Sequence, residues 1–171
     1  MTNEKDLRTL KQLLDTAESN IRQVKAILFT TEIQNKAAGL AVNGENGSVV
    51  EGVFDGEGMI APDGERYPVS PNYASKSKLI PGDVLKLSIM EDGTFIFKQI
   101  GPVKRKKIVG DLEEVDKGKF VVKVGDKEYR VLLASVTYFK ARAGDKLTII
   151  VPENEESEWA AVENVLDRND D

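Results

Sequence analysis

The chain has 171 residues, 40% hydrophobic and 31% charged, which is the balance of a globular protein. It has neither cysteine nor histidine. That excludes disulfides, thiol catalysis, histidine-based triads and the usual thiolate or imidazole metal sites, and no cofactor is expected. The net charge of −5 is uneven: residues 152–171 hold eight acids against Arg168, so the rest of the chain sums to +2. The acidic balance therefore does not exclude nucleic acid, although no segment is strongly basic.

The first residues, "MTNEKDLR", are polar and mixed in charge, unlike a signal peptide, and no apolar run approaches a membrane span. The cytoplasm is the expected location. Residues 4–29 read as a helix: Leu7, Leu10, Leu14, Ala17, Ile21, Val24 and Leu28 recur at alternating spacings of three and four. This is an a/d heptad pattern over about three heptads. Leu13 and Ile27 widen the stripe beyond a strict two-stranded seam. Such a helix can pack on its own chain or pair with a second copy. Self-association into a dimer or higher oligomer is the preferred expectation, with Leu7, Leu10, Leu14, Ile21, Val24 and Leu28 as its contact residues. Thr31 is a candidate cap for a second, shorter helix, "EIQNKAAGL". The glycine-rich "VNGENGS", residues 42–48, reads as a linker ending a helical arm of residues 1–41.

From Val49 the pattern changes to period two with frequent Gly and Asp turns. "VVEGVF" is a strand, and "GMIAPDGERYPVSP" reads strand, turn, strand, with Pro62 and Gly64 suited to the turn. "NYASKSKL" is a short helix or wide loop. In "VLKLSIM", Leu85, Leu87 and Ile89 share a face, and Asp92-Gly93 marks a hairpin into "TFIFKQI".

The pattern then repeats. Shifted by 62 residues, Tyr67 meets Tyr129, Val69 meets Val131, Lys78 meets Lys140, Gly82-Asp83 meets Gly144-Asp145, Leu85 meets Leu147, and Phe97 meets Trp159. Upstream, with a small adjustment, Val50, Gly52 and Phe54 meet Ile108, Gly110 and Leu112. Shared turn chemistry and strand phase point to a duplication, with repeats at residues 49–107 and 108–166 and an acidic tail at 167–171. The expected fold is α+β and mainly β: a coiled-coil-like helix, then a duplicated region closing into one pseudo-symmetric barrel. Two tandem small barrels are the alternative. The repeat also predicts a strand over Trp159–Val165, where local sequence alone suggests a helix capped by Ser157.

Two sets of polar residues are candidates for function. Asp83 and Asp145 would form a symmetric carboxylate pair if the fold brought them together; their ordinary role is to bond backbone amides in a Gly-Asp turn, and that role is favoured. Ser75 and Lys78 form a conceivable nucleophile pair, but a solvated loop is the simpler reading. Lys76 and Lys78, with Lys104, Arg105, Lys106 and Lys107, are the only basic clusters. With Tyr73, Tyr138 and Phe139 they could meet phosphates and stack on bases.

"VSPNYASKSKLIPGDVLKLSIMEDGTFIFKQI" resembles the half-barrel of the cradle-loop and double-psi group, including AbrB-type regulators. That resemblance covers residues 67–100 and again 129–165, and implies a barrel and contact with DNA. "YPVSPNYASKSKLIPGDVLKL", "FIFKQIGPVKRKKIVGDL" and "LLASVTYFKARAGDKLTIIVP" are similar to a family of small proteins from candidate-phyla-radiation bacteria, a resemblance that implies no catalytic residue. The expected function is a non-catalytic, self-associating binding or regulatory protein that contacts nucleic acid or a machine such as polymerase or ribosome. The alternative is a protein–protein adaptor that presents its β surface on a helical oligomer.

Overall fold

The computed structural model describes residues 3–40, 42–43 and 48–166. The acidic end of the chain, 167–171, lies outside the described residues. A single helix α1 runs Glu4–Ala38, about 52 Å at 1.5 Å per residue. Asn3 caps it, its side-chain oxygen accepting from the Asp6 amide, and Glu4 and Asp6 suit the positive N-terminal end. The expected second helix starting near Thr31 does not exist as a separate element. No glycine or proline interrupts residues 4–38, so the helix continues through Thr30 and Thr31. Thr30 hydroxyl simply bonds back to the Ala26 carbonyl.

The strands follow as β1 (Val42–Asn43), β2 (Val49–Phe54), β3 (Gly58–Ile60) and β4 (Arg66–Pro68). Helix α2 (Pro71–Lys76) then leads to β5 (Val84–Ile89) and β6 (Phe95–Gly101). The second half runs β7 (Arg105–Asp116), β8 (Lys119–Val124), β9 (Lys127–Val131), α3 (Leu133–Tyr138), β10 (Lys146–Pro152) and β11 (Ala161–Val165). The expected linker is partly strand, since Val42 and Asn43 pair antiparallel with Val50 and Val49. Its residues 44–47 lie outside the described ones.

The strands form two antiparallel sheets. One has the order β4-β3-β2-β5-β6, with β1 also on β2; the other has the order β9-β8-β7-β10-β11. In each, three strands meander and the fourth returns through a short helix to lie beside the first, which is a Greek key. The turn before the fourth strand has the same bonds in both halves. Gly82 N–H donates to Phe54 and Gly144 N–H to Leu112, while Phe54 and Leu112 donate back to the carbonyls of Asp83 and Asp145. Gly52 and Gly110 are glycine for want of room. A Cβ at Gly52 would lie 2.6 Å from the Ile60 carbonyl oxygen, and one at Gly110 would lie 2.5 Å from that of Lys123. Each lets its strand coil tightly onto the next.

Each half has its own core. In the first, Phe54, Met59, Leu85 and Leu87 are fully buried; in the second, Leu112, Val122, Leu147 and Ile149 are. A third cluster joins Ile80 to Ile150 and Ala161, with Val103 against it, and so ties the halves together.

No closed barrel is present among the described residues, neither one composite barrel nor two tandem ones, because each sheet uses only strands of its own half and its edges do not fully zip. The second sheet comes nearer to closing: Arg130 N–H donates to Glu158 (2.7 Å), and Ala160 N–H donates back to Arg130 (2.9 Å). In the first sheet, Pro68 stands 62 residues before Arg130 and has no N–H to give. There the edges meet through rings, Tyr67 against Phe95 at 5.8 Å. The expected last strand is present from Ala161, and Trp159 forms a parallel bridge to Arg130. Ser157 does not cap a helix; its hydroxyl serves the Trp159 backbone on both sides.

Candidate interaction surfaces

Helix α1 is anchored through its C-terminal part. Ile33 and Ala37 are buried against Val53 and Ile60, with Phe29 and Leu40 beside them. Lys36 Nζ donates to the Gly82 carbonyl oxygen at 2.6 Å. Every residue from Asn3 to Lys25 is exposed. All six expected contact residues therefore lie on open helix surface. Leu7, Leu10, Leu14, Ile21, Val24 and Leu28 are each 55–60% exposed, and Leu13 and Ile27 more so. A helix stays in water with such a stripe only at a cost, since fully burying a leucine-sized side chain is worth about 1.5–3 kcal/mol. The mean hydrophobic content of the helix is low, and no helix among the described residues is long and apolar enough to cross a membrane.

The six basic residues divide by what they touch. Arg105 is largely engaged within the protein. It donates to the Asp83 carboxylate, to the Lys78 carbonyl (3.1 Å) and to the Val103 carbonyl (3.2 Å). Lys78 and Lys107 share one carboxylate, Glu163, at 3.1 and 3.5 Å. The Glu163 carboxyl is held below its ordinary range, first by the Lys78 hydrogen bond and further by Lys107, against a small burial penalty. Lys76, Lys104 and Lys106 point into solvent, and none is ion-paired among the described residues.

The aromatic residues expected beside them are spread out. Tyr73 stacks on Phe97 in the first half, while Tyr138 meets Phe139 edge-on in the second. The helices α2 and α3 do pack together, joined by a buried hydrogen bond from the Ser135 hydroxyl to that of Ser75. Ser75 is thus occupied in the core, bonded to Ser135.

Asp83 and Asp145 each cap their own turn, accepting from the amides of Ile80 (2.9 Å) and Arg142 (2.8 Å). No group of three or more acidic side chains that could hold a metal occurs among the described residues. Asp83 does more than cap. It is fully buried and also accepts from Val103 N–H (3.0 Å), Gln99 Nε2 (3.1 Å) and Arg105. Burial pushes its carboxyl above the ordinary range, and the amides of Ile80 and Val103 and the Arg105 charge pull against that. The result is a structural clamp: one carboxylate holds the turn before β5, the strand β6 and the entry to β7. Nothing local in "PGD" and "KRKK" pairs Asp83 with Arg105, because the contact spans 22 residues.

Neither a protein-family model nor a curated protein matches the chain.

Proposed function

We propose that this chain is a self-associating, non-catalytic binding protein in which α1 joins copies and the two β units face partners. The observation that carries this reading is the α1 stripe, heptad-spaced and more than half exposed along its length. A period of 3.5 residues matches a second helix better than it matches a flat sheet or a globular surface, so a second α1 is the occupant with the right geometry. The two Greek-key halves are read as copies of one unit, with matching strand order and matching Gly-Asp turns.

Substituting both Leu14 and Ile21 with glutamate tests the reading. Both side chains are already in water, so the β units should keep their stability while the complex falls to monomer in multi-angle light scattering. An unchanged mass would end the proposal.

A second reading, contact with nucleic acid, keeps one specific support: the solvent-facing cations of Lys76, Lys104 and Lys106. Five-stranded, partly open Greek-key barrels include oligonucleotide binders, a fold-level analogy only. The AbrB-like resemblance points the same way. K76E/K104E/K106E should then abolish salt-sensitive retention on DNA or RNA. Because Arg105 is committed to Asp83 and Lys78 and Lys107 to Glu163, the adaptor reading is the better supported.

A further inference from the structure

Outside α1, four exposed large apolar side chains share one hairpin, the others being spread over β7, α3 and the end of β11. Met90 is 47% exposed, Phe95 37%, Ile96 52% and Ile100 41%. All lie on or beside β6, the edge strand of the first sheet. The far edge of that sheet, β4, is three residues long and ends in Pro68, so it cannot zip β6 shut. A long apolar edge strand is a ready template for one more strand, because half its backbone groups point away from the sheet. The end of β6 where Phe95 meets Tyr67 is rimmed by carboxylates from two hairpins, Asp63 and Glu65 on one side and Glu91 and Asp92 on the other. Arg66, beside this rim, is already paired with Asp55 at 3.0 Å. Farther along the strand the charge reverses: Lys98 stands opposite Lys86.

We infer that β6 captures an extended segment of a partner protein, added as a sixth neighbour in the strand order and carrying aliphatic residues with a basic end placed at the Asp63–Glu65–Glu91–Asp92 rim. Alternate side chains of the added strand would meet Ile96 and Ile100 on the outer face, and the backbone would supply the affinity. The acidic rim sets polarity, since the opposite orientation would bring the basic end to Lys98. This names the chemistry of the partner and rests on the binding-protein reading, while α1 assembly is a separate property.

The test uses the full chain and fluorescence anisotropy. The probe is a labelled, end-blocked peptide of alternating isoleucine and threonine with two lysines at one end. Binding at or below about 1 mM is expected, weakening with salt. Replacing the two lysines by glutamates, or alternate threonines by proline, should each weaken it about tenfold or more. On the protein, Ile96→Asp and the triple change E65Q/E91Q/D92N should do the same. A control triple in the second half, E113Q/E128Q/E156Q, should leave binding unchanged. The inference is overturned if the wild-type chain does not bind, if the acidic peptide binds equally well, or if Ile96→Asp binds normally. It is also overturned if Ile96→Asp lowers the oligomer mass, which would give the edge to a second copy. The Leu14/Ile21 variant run alongside separates the two claims, because a monomer that still binds the peptide supports this site independently of assembly.

Discussion

Replacing Arg105 with methionine removes the guanidinium from Asp83 while keeping much of the side-chain volume. Asp83 is fully buried, and its carboxylate would be left with the Ile80 and Val103 amides and Gln99. Removing one partner of a buried ion pair costs about 3–5 kcal/mol. Three donors remain, so the expected loss is at the low end, about 3 kcal/mol. For a chain of this size that is a fall of about 6–12 °C in Tm. Urea titration with tryptophan emission is a fitting assay, since Trp159 stands over Gly56 of the first half and reports their contact. The loss should also depend on pH. Burial already raises the Asp83 carboxyl, so ionising it costs stability as pH rises through its folded value, and losing Arg105 moves that value higher still. The deficit should therefore be largest near neutral pH and shrink as the solution is acidified toward the unfolded carboxylate range. A loss under about 1 kcal/mol at neutral pH would refute the clamp, because it would make Arg105 a surface cation.

Two further outcomes follow from the same contacts. Glu163→Gln should lower stability by about 0.5–1 kcal/mol at neutral pH, a modest value because both lysines are partly exposed. Since the Glu163 carboxyl is depressed in the folded protein, its stabilisation is lost as pH falls through that folded value, and wild type and variant should converge only on the acid side of the ordinary glutamate range in a pH series of melts. Gly56→Ala should be severe, about 3 kcal/mol or more, because a Cβ there would sit 2.2 Å from the Trp159 ring and the backbone φ is +119°. A red shift in Trp159 emission should accompany it; normal stability and emission would show that the indole can move aside.

Much of the fold was legible in the sequence because the signals were local. The Asp92-Gly93 hairpin, the Pro62–Gly64 turn and the inward Leu85 and Leu87 all follow from turn chemistry and period two. The repeat located the last strand, which local composition alone would have made a helix. The closure of the sheets was not legible, because it depends on whether edge groups meet across the sheet. Arg130 N–H bonds Glu158 across one seam while Pro68, at the edge of the other sheet, has no N–H to donate, and the pattern of apolar residues carries no trace of that difference. The basic cluster was read by charge alone, yet Arg105 answers to Asp83, and Lys78 and Lys107 answer to Glu163, each partner remote in sequence. Residues apolar on both faces of "FIFKQI" were the available hint of an exposed edge, since a strand covered on one side only should alternate.

Sedimentation equilibrium of the intact chain bears most directly on α1. With its stripe buried against a second helix, the chain should show a mass at tens of micromolar that is an integral multiple of 18.9 kDa and falls on dilution. A mass of one chain at every concentration would mean that the heptad stripe has no copy as its partner, and self-association would be wrong.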